Sequence, residues 1–440
     1  MRLRFFFSAF FLGFLYSNQV YSENLTDKEL TTANPKSINN PSETEAKDYY
    51  LHMGLTLSPS LLNINKKSLY YVPESLGYLS EKTMRNDLDF RFSKGGLNVQ
   101  GLLRQSLDSK KSSHYRGIVN QAYYDGQFSS SLGWTVGKKV MTWGVGFGFK
   151  PLDLIQREDV RLMNPEPLVG KYIFSLDKYT ANQSWSMILA NPFMERKNNE
   201  DRDPSLTLRW YRFAGNSDLY GIFRLSKKRK IEMGLGFTHI IGDKWSIHGA
   251  GLFQERSHQK KNALLGSRKY FSNSDPMREG HYGNHLKAVL GLQWTGSSGW
   301  SVLLEGWYDG DAYKRKDWKA LHALTREQRA MSTHVPSVLS HGNIAASSQA
   351  YLAPNLMREN LLLRISYDNR NGFLIYGDIL TTPSDGGMVY TLGASWERNR
   401  SKLTMGWRHY QRKNNSAYGH SPINSGVWLQ WRLMLPVNFE

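Results

Sequence analysis

The chain has 440 residues, with 56 Lys+Arg against 38 Asp+Glu, no cysteine and 13% aromatic residues. A mean hydropathy of −0.52, with one apolar run at the extreme N-terminus, excludes a multi-span helical membrane protein. The missing cysteines exclude a disulfide scaffold, a thiol nucleophile, a cysteine-ligated metal centre and a lipid-modified N-terminal cysteine. Instead, 38 Gly, 24 Tyr, 20 Phe and 13 Trp suit one large sheet with an apolar outer face and a wet inner face.

Residues 1–22 read as a signal peptide. Arg2 and Arg4 form a basic start, Phe5 to Tyr16 a short apolar stretch, and Val20 and Ser22 stand at small-residue positions before a cleavage site. About a dozen apolar residues are too few for a permanent membrane helix. Loss of two arginines lowers the net charge from +18 to +16. An exported chain without cysteine fits the periplasm or outer membrane of a bacterium. Residues 23–48 are polar, lack an apolar period and read as a flexible periplasmic leader. They are too short for the folded plug of a large receptor barrel.

From Tyr49 to the end, residues 49–440, two-residue alternation dominates. Leu51, Met53, Leu55 and Leu57 alternate with His52, Gly54 and Thr56, and Val427, Leu429, Trp431 and Leu433 stand opposite Gln430 and Arg432. Strands are predicted near 49–59, 84–94, 97–107, 115–125, 128–138, 169–176, 183–191, 205–213, 218–226, 231–240, 244–255, 284–295, 300–309, 359–368, 372–381, 388–397, 402–411 and 425–435. A soluble sandwich would also alternate. Segment length favours a membrane barrel, because about 9–11 tilted residues cross a bilayer. So do aromatics near segment ends, such as Trp185, Trp245, Trp300 and Trp396. Short connections (Gly95-Gly96, Gly126-Gln127, Gly215-Asn216, Gly242-Asp243) alternate with long ones (60–83, 139–168, 256–283, 310–358). That sidedness belongs to a single antiparallel transmembrane β-barrel, all-β, of about eighteen strands, or sixteen if weak segments merge.

A pI near 9.7 can signal nucleic-acid binding, but an exported barrel argues against it. The basic residues concentrate in loops 256–283 and 310–358 and on the polar strand face. There Arg91, Arg104, Arg209, Arg364, Arg408 and Arg432 outnumber Asp87, Asp89 and Glu305. A bilayer-facing arginine at mid-depth costs about 2–4 kcal/mol, so these side chains belong in the lumen. They form either a solvated wall of screened charges or an electropositive path that concentrates anions. The basic loops would equally bridge anionic lipopolysaccharide.

Residues 139–168 carry Gly/aromatic alternation, Trp143 to Gly148, then Pro151 and a charged run. The spacing GxGxG is not a dinucleotide fingerprint, and no strand–turn–helix context surrounds it. A barrel of this size leaves an aqueous lumen, which such a loop would narrow by folding inward. Asp153, Arg157, Glu158, Asp159 and Arg161 are then the constriction candidates; otherwise the loop lies over the rim. Trp318, Leu321, Leu324 and Gln328 predict an amphipathic helix near 317–331, a lid or a surface helix. No catalytic constellation, metal motif or cofactor fingerprint stands at a recognised spacing. A lipid or saccharide hydrolase is the weakest alternative, and a plugged barrel that binds at the cell surface or serves assembly is the second reading.

From Tyr49 to Phe439 the pattern resembles Gram-negative outer-membrane porin-like barrels. More loosely, Gly137-Lys138, Trp143-Gly144-Val145-Gly146 and Pro151-Leu152-Asp153 are similar to a stretch of the alginate-export type. The resemblance implies outer-membrane lipid and lipopolysaccharide as surroundings and passage of an anionic solute or polysaccharide. It also implies insertion by machinery that reads a terminal aromatic residue. Here Phe439 is followed by Glu440, and Pro436 interrupts the last run.

Overall fold

The computed structural model describes residues 49–73, 79–109, 113–156, 163, 167–192, 203–411, 413 and 416–435. The expected signal peptide and leader, and Phe439, lie outside them. The strands are β1 (Tyr49–Ile64), β2 (Lys82–Lys94), β3 (Leu97–Asp108), β4 (Ser113–Ser129), β5 (Leu132–Lys139), β6 (Lys171–Tyr179) and β7 (Gln183–Ala190). Next come β8 (Ser205–Ala214), β9 (Ser217–Ser226), β10 (Lys230–Ile241), β11 (Trp245–Gln254), β12 (Ser257–Asn262), β13 (Met277–Tyr282) and β14 (His285–Thr295). The remainder are β15 (Trp300–Asp309), β16 (Glu359–Asp368), β17 (Phe373–Thr382), β18 (Gly387–Arg398), β19 (Ser401–Tyr410) and β20 (Ile423–Leu435).

Each strand except β12 and β13 pairs antiparallel with its neighbour in the chain, and β20 pairs with β1, so an 18-stranded sheet closes on itself. Closure removes every unpaired strand edge, which is what a bilayer requires of a β-structure. All eighteen predicted strands have counterparts. The alternation that identified them is the alternation of faces. On β10, Met233, Leu235 and Phe237 are exposed outward, while Glu232, Gly234 and Gly236 are buried inward. At the short-turn rim the outer face carries Phe128, Trp185, Trp245, Trp300, Phe373 and Trp396, all exposed. Across strands, Trp245 stands opposite Trp294 and Phe373 opposite Trp396. Amphipathic rings at that level are the belt expected at a membrane–water boundary.

Two expectations need correction. The predicted turn at Gly126-Gln127 is strand: β4 runs on to Ser129 and the chain reverses at 130–131. Gly126 opposes Trp134 of β5, and a Cβ there would lie 2.4 Å from the indole ring. It clears space for the tryptophan instead of turning the chain. The long connections are also less irregular than the sequence suggests. Loop 256–283 holds the β12–β13 hairpin, and 310–358 holds two helices, α1 (Arg315–Ala330) and α2 (Ser337–Ser348).

A bulge between β3 and β4 ties the wall to the interior. The register shifts after Gln100, leaving Asn120 between paired residues. Its side-chain amide donates to Leu168 O at 3.0 Å, and its backbone carbonyl accepts from Gly170 N at 2.8 Å. This bulge anchors the returning limb of the connection that follows β5.

Candidate functional site

The connection after Lys139 folds into the barrel. Asp153 closes it on itself: one carboxylate oxygen accepts the backbone N–H groups of Trp143 and Gly144, each at 2.6 Å. Beyond Gly146, whose φ of +115° suits only glycine, the N–H groups of Phe147 and Gly148 converge on Glu305 of β15. They donate to its two oxygens at 2.6 and 2.7 Å, and His248 Nε2 of β11 lies 2.8 Å from the same carboxylate. Successive backbone N–H groups in such a bend form a concave anion nest, and here the wall supplies the anion.

Apolar packing seats the rest. Leu152 and Leu154 join inward-facing Ile222, Ala250, Leu252, Val289, Trp307 and Leu362, with Trp143 and Phe149 against them. The Leu152 methyls fill the space over Gly234 and Gly236, where added Cβ atoms would lie 2.5 and 2.9 Å from them. Full burial of a leucine contributes about 1.5–3 kcal/mol. The wall from β9 to β16 is therefore the seat of the connection.

The facing sector carries the charge. Strand register sets Arg364, Asp378, Thr391 and Arg408 in one row across β16 to β19. Arg364 pairs with Asp378 at 3.2 Å, and its guanidinium lies 3.8 Å from the Tyr376 ring and 4.6 Å from that of Phe147. Arg408 donates to the Thr391 hydroxyl at 2.9 Å. A second row runs Arg432, Thr56, Asp87, Arg104 across β20 to β3. Arg104 holds Asp87 through two bonds of 2.8 and 2.9 Å, Arg85 approaches it at 3.3 Å, and Arg432 reaches Asp89 at 3.0 Å. Gly54 leaves room for Asp89, since a Cβ would lie 2.7 Å from its carboxylate. Arg91 follows on the inner face of β2, exposed, and Arg209 lies 5.8 Å from both the Trp143 and Tyr211 rings.

The sequence thus located the inner-face charges but not their use. Glu305 is fully buried beneath the connection and is shielded from the barrel interior. Asp153, expected at a constriction, is 1% exposed and turned into its own loop. Arg157, Glu158, Asp159 and Arg161 lie outside the described residues. Sequence reading also missed Asp378, although period two from Tyr376 places it on the polar face. It missed the buried groups Arg224, Glu232 and Lys287 as well, which sit at strand ends beside the loops.

Two spaces flank the tip of the connection. A cleft of about 80 Å³ is lined by Phe147, Trp307, Leu380, Thr391, Arg408 and Tyr410. A cavity of about 290 Å³ lies on the other side of Gly148, bounded by Lys150, Lys260, Lys287, Asp309, Gln349 and Asn355.

Over the long-loop end the two helices form a cap with its own core. Tyr70, Tyr313, Trp318, Leu321, Met357 and Tyr418 are its buried centre. The observed α1 matches the predicted 317–331 helix and buries all four residues of the predicted face. Trp318 Nε1 donates to Leu356 O at 2.7 Å, and Arg329 donates to the carbonyls of Leu69 and Tyr71. Burial pushes the Tyr70 and Tyr313 phenols well above their ordinary range, and His322 down to about 3. Among the described residues no cluster of three His, Asp or Glu is placed to hold a metal ion. His409 and Ser425 are register partners on the outer face of β19 and β20, where His409 stacks on Trp407.

No protein-family model matches the sequence, and neither does any curated protein. Solved structures do match. OccK11 (OpdR) of Pseudomonas aeruginosa aligns with a TM-score of 0.51 at 9% identity, over 88% of this chain and 97% of that one. A triple mutant of the Rhodopseudomonas blastica porin aligns with a TM-score of 0.40 at 9% identity, over 88% of this chain and all of that one. Likeness at such identity concerns the fold: the chain is a closed antiparallel β-barrel with a porin-like channel fold.

Proposed function

We propose that the chain is an outer-membrane channel through which anionic solutes, an acidic saccharide polymer among them, diffuse along the arginine-bearing wall of a lumen narrowed by the connection after β5. The observation that supports this is the row Arg364–Asp378–Thr391–Arg408 facing the Phe147 tip of that connection. Two guanidinium groups and one carboxylate leave the row with excess positive charge. Rings of arginine beside a low-dielectric wall favour anions. The aspartates that pair with Arg364, Arg104 and Arg432 moderate the preference and hold the side chains extended along the wall.

Single-channel recording of the refolded protein in a planar bilayer under a salt gradient tests the reading. The expected result is open steps with an anion-weighted reversal potential. In Arg364→Glu/Arg408→Glu the potential should move to the cation side, since the row's excess charge becomes negative. Unchanged selectivity would remove the row from the pathway.

Membrane placement has its own test. Leu235 is 70% exposed at the middle of the outer face of β10. Leu235→Arg is expected to lower unfolding stability in lipid by about 2–4 kcal/mol, with little change in detergent. Lipopolysaccharide around the basic loops and insertion by the barrel-assembly machinery belong to the same proposal.

The cap and the inward connection favour a second reading, a barrel held shut that binds at the cell surface. A silent membrane from correctly folded protein would favour it.

A further inference from the structure

We propose that the cap over the long-loop mouth is an acid-released lid, held down by the uncharged imidazoles of His322 and His420. Three separate segments meet at these rings: 65–73 through Tyr70, α1 through Trp318 and His322, and 416–422 through His420. Tyr70 Oη and His322 Nδ1 are 2.7 Å apart. The two imidazole centroids lie 4.4 Å apart, edge to face, and Trp318 packs on His322 at 5.6 Å. The Nε2 atoms of both histidines are buried with no hydrogen-bond partner. His322 is 2% exposed.

Among the described residues no counter-charge stands ready for a protonated pair. From α1 the nearby charges are Arg326, which acts on both rings, and Arg329, bound to the carbonyls of Leu69 and Tyr71. Segment 65–73 contributes the neutral Tyr70, while its Lys66 and Lys67 are exposed. Residues 349–352 contribute Tyr351, and the 416–422 segment Tyr418. Asp385, on the turn packed against that segment, already accepts Ala417 N at 2.7 Å, Gly387 N at 3.0 Å and the Thr382 hydroxyl at 2.6 Å. Protonation would therefore place two cations side by side, next to Arg326, in a buried site.

The sign follows from linkage. Burial first, then His420 and Arg326, depress the His322 proton affinity to about pH 3 from an ordinary 6.5, and burial and Arg326 depress that of His420 as well. A released cap takes up protons below about pH 6.5 that the seated cap refuses. Stability of the seated cap is thus fully present above that pH and lost as pH falls. By pH 4.5, His322 alone raises the released population about 100-fold.

Hydrogen exchange of the full-length barrel, with α1 as reporter and rates corrected for intrinsic pH dependence, tests this at pH 7.5 and 4.5. Protection of 315–330 is expected to fall about 100-fold or more at the lower pH, while strand protection holds. In His322→Gln/His420→Gln the fall should vanish. His420→Gln alone, which leaves the Tyr70 bond in place, should reduce it. Equal protection of the native chain at both pH values would overturn the proposal, as would an undiminished fall in His420→Gln. The exchange readout does not depend on conduction, so it is separable from failure of the channel reading. Conductance recorded on the same preparations then reports whether release opens the mouth.

Discussion

Replacing Glu305 with alanine is expected to loosen the inward connection and raise the unitary conductance, with larger and noisier open steps. Glu305 is fully buried and carries the nest of Phe147 and Gly148 together with His248. Its removal orphans two backbone N–H groups at about 1–3 kcal/mol each, more than one buried leucine returns. Leu152 and Leu154 should keep the root of the connection on the wall, so the tip at 145–149 moves first. Because Phe147 packs on Arg364, release of the tip should also free that guanidinium and alter selectivity. Glu305→Gln retains one acceptor and should give an intermediate conductance. Identical step size and noise in Glu305→Ala would show that the connection does not limit the passage.

The barrel was legible because the physics that builds it is local. Period-two alternation and turn residues fix which segments are strands and which face each side chain takes, and neighbour-to-neighbour pairing leaves only closure to infer. Inner-face charges such as Arg364 and Arg408 were found by the same parity. The interior connection was not legible, because its conformation rests on contacts distant in sequence. Asp153 looks like a pore charge until Trp143 and Gly144 are seen to consume it, and nothing near Glu305 foretells a partner 157 residues away. Two further elements were hidden by composition. The β12 segment Ser-His-Gln-Lys-Lys-Asn has no apolar face to show alternation. The buried side of α2 is largely small and polar, with Ser340, Asn343, Ser347 and Ser348 around Ile344, so a search for apolar periodicity passes over it. The predicted α1 succeeded for the opposite reason: Trp318, Leu321 and Leu324 form an apolar stripe at helical spacing.

The largest loss of stability is expected at Glu232, beside the seat of Leu152. Register sets it between Arg224 of β9 and Gln254 of β11, and both donate to its carboxylate. Asp203, on the loop before β8, approaches Arg224 at 3.4 Å and accepts Lys228 N at 2.9 Å. All four side chains are nearly inaccessible. Glu232→Ala leaves the buried guanidinium with Asp203 alone and Gln254 without its acceptor, a loss of about 3–5 kcal/mol in unfolding free energy. Glu232→Gln keeps the length and one acceptor oxygen and should cost less. Arg224→Met/Glu232→Leu removes both of these charges together and should recover part of the loss, because the destabilisation comes from an uncompensated ion. The remainder is the Asp203 carboxylate, left without its guanidinium. Denaturant unfolding of the three variants in one detergent separates these terms. If the double variant were as unstable as Glu232→Ala, shape and not charge would govern the site, and the wall that carries Gly234 and Gly236 would owe its rigidity to packing alone.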